Sequence, residues 1–398
     1  MIHMQLSFDD LEYVVGTSDI AAKMPQLRPL RPFDENVIAF LNDLSGLLRG
    51  NRLYPDVATF GFWCRKAAVL QEKSKYDDLA ERIGKGIVFH STPSNVPVNF
   101  AFSFAAGLLA GNANIIRLPA KPFEQVHIIC DAVRQLLADQ HQALAPYVCF
   151  VRFPAVKEIS DAFSAFCDVR VIWGGDATIA DIRRSALHAR ATEITFADRH
   201  SIAVIHADEY LKAAQKELIV QNFYNDTYYS DQNACTSPRI VFWLGGQTEA
   251  AQADFWQRVH ALVKKKYALA PVQSVGKLHA LCKAAAQKKI RVIPAEDMLV
   301  TRLQLTSLPD DLMNLKYNSG FFFEMNIQDL REIVPVCGMR CQTLSYFGIE
   351  KEMFRAFLEQ EKPNGIDRIV PIGKTMDFSL IWDGYDLIRQ MSRRVNMI

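Results

Sequence analysis

Cys235 lies in the run Ser230-Asp231-Gln232-Asn233-Ala234-Cys235-Thr236-Ser237-Pro238, with a small residue before the sulfur and two hydroxyl residues and a proline after it. The apolar run Ile240-Val241-Phe242-Trp243-Leu244 follows and reads as a buried strand. A cysteine between polar turn residues and such a strand can present its sulfur while the strand holds it still. Its thiolate is the reactive form, and a helix end or nearby cation would favour that form. Far upstream, Thr92-Pro93-Ser94-Asn95-Val96-Pro97 places Asn95 in a loop braced by prolines. A thiol nucleophile and an amide donor to a developing oxyanion are the minimum for thioester chemistry on an acyl group. Each residue also has a plainer reading. A cytosolic cysteine is commonly a small buried hydrophobe, and Asn between prolines a turn former.

The elements around these residues alternate. Ile87 to His90 reads as a buried strand, followed by a helix over Asn99 to Ala110 that Gly111-Asn112 stops. Strand Asn114 to Leu118 leads to helix Glu124 to Ala138, and strand Val148 to Arg152 to helix Val156 to Phe166. Strand Val169 to Trp173 precedes the Gly174-Gly175-Asp176 turn and a helix over Ala177 to Leu187. This texture predicts an α/β fold built on parallel sheets. Ligands of such sheets bind beyond the carboxyl ends of the strands. His90 to Asn95, Arg117 to Lys121 and Gly174 to Asp176 are all placed there. Residues 1–200 are expected to form an N-terminal region and nucleotide-binding domain, and 201–365 a catalytic domain carrying Cys235. Residues 366–398 form a tail with a strand at Arg368 to Pro371 and an exposed aromatic turn at Trp382 to Asp386, packing on the first domain or in an oligomer contact.

The bulk composition narrows the partners. With 45 basic and 44 acidic residues the net charge is +1, which gives no electrostatic case for nucleic acid or an anionic membrane. The start has no basic region followed by an apolar core, so no signal peptide is expected. The longest apolar run, Phe100 to Leu109, is too short to span a bilayer. Eight cysteines without paired spacing fit reduced thiols in the cytoplasm. Several motifs fail. No G-x-G-x-x-G occurs, and Gly373-Lys374-Thr375 lacks the first glycine of a P-loop, since Arg368 stands there. Cys337 and Cys341 have no second pair to complete a zinc site, so no metal is expected. His90 and His200 read as hydrogen-bonding structural residues.

His90-Ser91-Thr92-Pro93-Ser94-Asn95-Val96-Pro97, Gly107-Leu108-Leu109-Ala110-Gly111-Asn112 and Ile116-Arg117-Leu118-Pro119 resemble the LuxC-type acyl-CoA reductases, which include the fatty acid reductase subunit of bacterial bioluminescence. Ala234 to Pro238, Gly365 to Gly373 and Trp382 to Asp386 match as well, so the resemblance runs from about residue 80 to near the C-terminus. More distantly the pattern is similar to aldehyde dehydrogenases, and it implies their fold of two parallel-sheet α/β domains.

The resemblance implies that Cys235 attacks an acyl thioester, expels coenzyme A and carries the acyl group until a nicotinamide cofactor reduces it to the aldehyde. Asn95 and the Cys235 backbone N–H would bind the oxyanion. Arg117 stands where aldehyde dehydrogenases have a lysine at the adenosine ribose. Ala120, followed by Lys121, replaces the carboxylate common in NAD-preferring members, so Arg117 and Lys121 favour NADPH over NADH. Gly174 and Gly175 would form the turn beside the cofactor phosphates, with Asp176 an awkward charge. The water-activating glutamate of aldehyde dehydrogenases is replaced by Thr195, with Glu193 two residues earlier on the same strand. That favours acyl reduction over aldehyde oxidation. The implied donor is acyl-CoA or an acyl-protein, and the implied partners are acyl-protein synthetase or transferase subunits and further copies of the chain. An oxidative aldehyde dehydrogenase and a non-catalytic acyl-binding subunit remain as alternatives.

Overall fold

Short apolar runs separated by amphipathic helices build two parallel sheets. A computed structural model of the chain describes residues 11–93, 96–154, 156–286, 290–310 and 312–397. Contacts divide it into two compact units, one of residues 1–197 and 378–398 and one of residues 198–377. The second unit therefore runs past residue 365, and the tail is shared between the two.

The first unit contains a six-stranded sheet. Its strands in chain order are β1 (Glu12–Val15), β2 (Ile87–Ser91), β3 (Ala113–Arg117), β4 (Val148–Arg152), β5 (Val169–Trp173) and β6 (Thr192–Phe196). Their spatial order is β1-β4-β3-β2-β5-β6, and only the β1–β4 pair is antiparallel. The carboxyl ends of β3, β2 and β5 are neighbours. Helix α1 (Asn99–Leu109) is almost wholly buried against this sheet. Gly107 permits the close approach, because a Cβ there would collide with Asn114 Oδ1. The predicted stop is realised at Gly111, whose φ of +89° is a conformation glycine adopts without strain.

Two expectations need correction. Helix α2 (Lys157–Phe166) is close to its predicted span, but α3 (Asp176–Ile182) ends five residues short of Leu187. Buried Arg170 explains this, since its guanidinium donates to Ser185 O at 2.7 Å and pulls the chain out of the helix. The aromatic turn of the tail is not exposed at Trp382. Ile381–Trp382 and Tyr385–Asp386 form a hairpin through Asp383 and Gly384, both at positive φ. Trp382 is buried in the first unit's core and stacks on Phe378 at 5.2 Å.

The second unit holds a seven-stranded sheet. In chain order its strands are β7 (His200–His206), β8 (Pro238–Leu244), β9 (Ile290–Ile293), β10 (Thr301–Leu305), β11 (Phe321–Ile327), β12 (Cys341–Phe347) and β13 (Arg368–Pro371). They lie in the order β9-β10-β11-β8-β7-β12-β13, and only β9–β10 is antiparallel. β8 is central and buried along its whole length, so the residues just before it are anchored by the core. Helix α4 (Pro271–Ala285) starts with proline at its first position, where no intrahelical N–H is missed. Among the described residues, no helix is long and apolar enough to cross a membrane.

Candidate active site

Cys235 occupies the turn that leads into β8. The turn begins with Asp231 and Gln232 at φ of 52° and 57°, a costly conformation for residues with side chains. Gln232 offsets that cost. Fully buried, its Oε1 accepts from the backbone N–H groups of Gly320 and Phe321, each at 3.0 Å. Its Nε2 donates to the carbonyls of Pro238 at 2.9 Å and Phe321 at 3.2 Å. One side-chain amide thus substitutes for a ladder rung on both sides of the turn. Ser201 Oγ donates to the Cys235 carbonyl at 2.7 Å, and Thr236 Oγ1 to Met376 Sδ at 3.3 Å. The backbone around the sulfur is fixed on several sides.

Exposure and charge single out this thiol. Cys235 is half-buried, whereas Cys64, Cys130, Cys149, Cys167, Cys337 and Cys341 are buried and Cys282 is exposed. Burial pushes Cys130, Cys149 and Cys167 up to about 12, which keeps them protonated and inert. Arg239, four residues after Cys235, is buried and donates to Tyr317 O at 2.7 Å and Asn318 Oδ1 at 2.5 Å. Burial drives this guanidinium down to about 10, opposed by the negative charges of Asp198 and Cys235. Cys235 and Arg239 are therefore within electrostatic reach, and a neighbouring cation favours a thiolate. Arg239 is a site residue that the sequence does not announce, since it stands inside a strand. The Pro-Arg pair opening β8, three and four residues after the cysteine, is the signal that was available.

In the first unit, a cavity of about 330 Å³ opens beyond the sheet, lined by Arg117, Val156, Lys157, Ser160, Ala177, Thr178, Asp181, Ile182 and Ser185. Its walls are the end of β3, the start of α2 and the length of α3. The size is that of a small-ligand pocket, and the lining sets Val156, Ala177 and Ile182 among six polar or charged residues. Arg117 is held over the Phe153 ring at 4.8 Å, and burial lowers its pKa. Thr92 Oγ1 donates to Arg117 O at 2.5 Å, tying the β2 and β3 ends together. Gly174 and Gly175 lead into α3, and the space a side chain of Gly175 would fill is open. Lys121 is exposed and does not line the cavity, as Lys157 does. Lys157 is paired with Asp161 at 2.6 Å. Asp181 adds a carboxylate to the lining, with Arg184 3.3 Å from it.

Other candidates fall into structural roles. His90 is fully buried. Its Nε2 lies 3.0 Å from the Asn114 carbonyl oxygen, to which it donates, and Nδ1 lies 2.7 Å from Ser103 Oγ. Glu193 is held by Arg170 at 2.5 Å and Arg183 at 2.7 Å. Buried Cys337 and Cys341 hydrogen-bond to one another near His200, which favours the thiolate of Cys341. Among the described residues no cluster of His, Cys, Asp and Glu is arranged to hold a metal ion. Asn95 lies outside the described residues.

The two parallel sheets, with a cavity at the strand ends of one and a buttressed thiol at the entry to a strand of the other, define the aldehyde dehydrogenase fold. An oxidoreductase from Marinobacter aquaeolei superposes with a TM-score of 0.66 at 13% identity over 94% of this chain and 88% of its own. Aldehyde dehydrogenase 21 from Physcomitrella patens gives 0.64 at 14%, covering 94% and 88%, and an E. coli NADP-dependent enzyme 0.62 at 13%, again covering 94% and 88%. Residues 25–300 match the acyl-CoA reductase (LuxC) family, and the chain belongs to that family. No curated protein matches the chain.

Proposed function

We propose that the protein reduces an acyl thioester, with acyl-CoA the first choice of donor, to the aldehyde at the expense of NADPH, through an acyl group carried on Cys235. The observation that carries this reading is the setting of Cys235: a half-buried thiol on a turn locked by Gln232, within the field of buried Arg239. Family membership supports the substrate class. The cavity suits the adenosine end of a dinucleotide, with Arg117 and Lys157 as cations and Ser160, Thr178 and Ser185 as hydroxyl donors. Arg117 and Lys157 favour a 2′-phosphate, and Asp181 works against it. Lys121 is assigned a weaker, solvent-exposed share, and Gly174 and Gly175 the approach to the phosphates. The bound nicotinamide would supply the hydride.

Each step has a residue or a leaving group. The Cys235 thiolate forms a C–S bond to the thioester carbon, and the Cys235 N–H is a donor for the negative oxygen, with Asn95 the second donor that the family resemblance implies. Collapse breaks the bond to coenzyme A, which leaves as a thiolate. After hydride addition to the acyl carbon, the hemithioacetal oxyanion rests on the same donors. Its collapse breaks the C–S bond, releases the aldehyde and restores the Cys235 thiolate. No carboxylate is poised to activate water on the first unit's last strand, because Glu193 is committed to two arginines. That favours aldehyde over free acid.

The test is product stoichiometry. With acyl-CoA and NADPH, aldehyde and free coenzyme A should appear one for one with cofactor oxidised. Free acid as the main product, or no turnover with acyl-CoAs of any chain length, overturns the proposal.

A further inference from the structure

Lys277, on α4, has an ammonium group fully buried in the second unit. Its Nζ has four backbone carbonyls within hydrogen-bond distance of its three N–H groups: Met298 at 2.5 Å, Ser319 at 2.7 Å, Gly320 at 3.1 Å and Leu299 at 3.4 Å. Asp297 is the charged group near it. That carboxylate is taken up by His260 Nε2 at 2.8 Å and the Leu299 N–H at 2.9 Å. Tyr228 OH also donates to Leu299 O, at 2.9 Å. A cage of carbonyl oxygens is satisfied by NH3+, whereas a neutral amine would turn a lone pair toward one of them. Burial works the other way and pushes the group down to about 7. A buried lysine kept at this cost holds something in place.

What it holds is the segment on which the Cys235 turn is built. Ser319 and Gly320, whose carbonyls bind Nζ, both have positive φ, at 60° and 84°. The Ser319 N–H donates to Asp231 O at 2.9 Å, and the Gly320 and Phe321 N–H groups donate to Gln232. Arg239 donates to Tyr317 O and Asn318 Oδ1, and Asn318 Nδ2 to Asn233 Oδ1. The helix approaches so closely that a Cβ on Gly276 would collide with Tyr317 OH. The turn from residue 231 to 233 and the guanidinium of Arg239 thus rest together on residues 317–321.

We propose that Lys277 is a positioning residue for the nucleophile: its ammonium, bound by four carbonyls, locks residues 317–321 and so sets the Cys235 turn and its distance from Arg239. This rests on the assignment of Cys235 as the acyl carrier. Lys277 acts through the carbonyls of residues 319 and 320 and not on the reacting atoms. Its loss should act on the rate of acylation rather than on substrate affinity.

The experiment compares Lys277→Met with Ala284→Gly, which weakens the same helix and leaves the ammonium in place. For each, the acylation rate and KM with an acyl-CoA are measured. So is the pH profile of Cys235 alkylation by iodoacetamide, read by peptide mass so that Cys282 is counted apart. Lys277→Met should slow acylation at least about tenfold at an unchanged KM, the scale of a misplaced reacting group. Its alkylation midpoint should also move to higher pH as Arg239 draws away. Ala284→Gly should match wild type in both. If Lys277→Met is not obtained folded, Lys277→Gln, which keeps two N–H donors without the charge, is read in the same way. Wild-type behaviour of the lysine variant, or equal losses in the two variants, overturns the proposal. A wild type that no acyl-CoA acylates defeats the functional reading instead, and the alkylation profile still decides the role of Lys277.

Discussion

Replacing Gln232 with leucine removes the amide that closes the Cys235 turn. Two N–H groups, of Gly320 and Phe321, lose their acceptor, and the Pro238 and Phe321 carbonyls lose a donor. A buried N–H left unsatisfied costs roughly 1–3 kcal/mol, so the two together cost about 2–6 kcal/mol. Leucine returns about 1–2 kcal/mol of apolar burial. The net loss is about 0–5 kcal/mol before the two carbonyls left without a donor add theirs, a large part of the roughly 5–15 kcal/mol that holds a domain together. Denaturant unfolding of Gln232→Leu, followed by Trp243 and Trp256 of the second unit, should show a lower midpoint with an unchanged slope. Gln232→Glu sharpens the test. While protonated, the introduced carboxyl can still accept both N–H bonds and donate one O–H. Once ionised, it faces two carbonyl oxygens. Its folded pKa is therefore raised, and the variant's stability should fall as pH rises from the usual carboxylate range toward neutrality. A Gln232→Leu variant within about 0.5 kcal/mol of wild type would refute the reasoning, being the effect of an ordinary surface change.

Three further outcomes are expected. Arg239→Met should move the midpoint of Cys235 alkylation to higher pH, by about one unit if the guanidinium is a close partner of the thiolate; no movement separates the two groups. Arg117→Ala should weaken NADPH binding about tenfold or more in calorimetry, through loss of a charge-assisted contact, and unchanged affinity would take the adenosine end out of the cavity. His90 is pressed down to about 4 by burial, only partly offset by its bond to Asn114, so its contribution to the first unit's stability is fully present above about pH 6.5. The unit should lose about 3 kcal/mol as pH falls from about 6.5 to about 4, because the unfolded state takes up a proton that the folded state refuses. In denaturation across this range, His90→Gln should flatten that limb.

Much of the fold is legible in the chain. Five-residue apolar runs such as Val148 to Arg152 and Val169 to Trp173 have the length and composition of doubly covered strands, and their spacing leaves room for one helix each. The end of α3 was not legible, because it is set by Arg170 reaching Ser185 from a strand. Trp382 misled for a related reason: an Asp-Gly hairpin looks like surface, yet its strand neighbour stacks inward on Phe378. In the site, the local run around Cys235 marked the thiol. Gln232 and Lys277 could not be read, and Arg239 was marked only by the Pro-Arg pair opening its strand, since their partners lie between 6 and 89 positions away and their roles depend on burial. Arg117 was visible at a strand end. Its companion Lys157 was not, because helix spacing alone does not say which lysine turns toward a cavity.

The central claim is that Cys235 carries the acyl group, and intact-protein mass spectrometry after mixing with one acyl-CoA tests it most directly. The protein should gain one acyl group per chain, on the peptide containing Cys235, with release of one coenzyme A. Adding NADPH should remove the adduct as aldehyde, and Cys235→Ser should show no adduct. An adduct on another cysteine, or aldehyde formation undiminished in Cys235→Ser, would contradict the account.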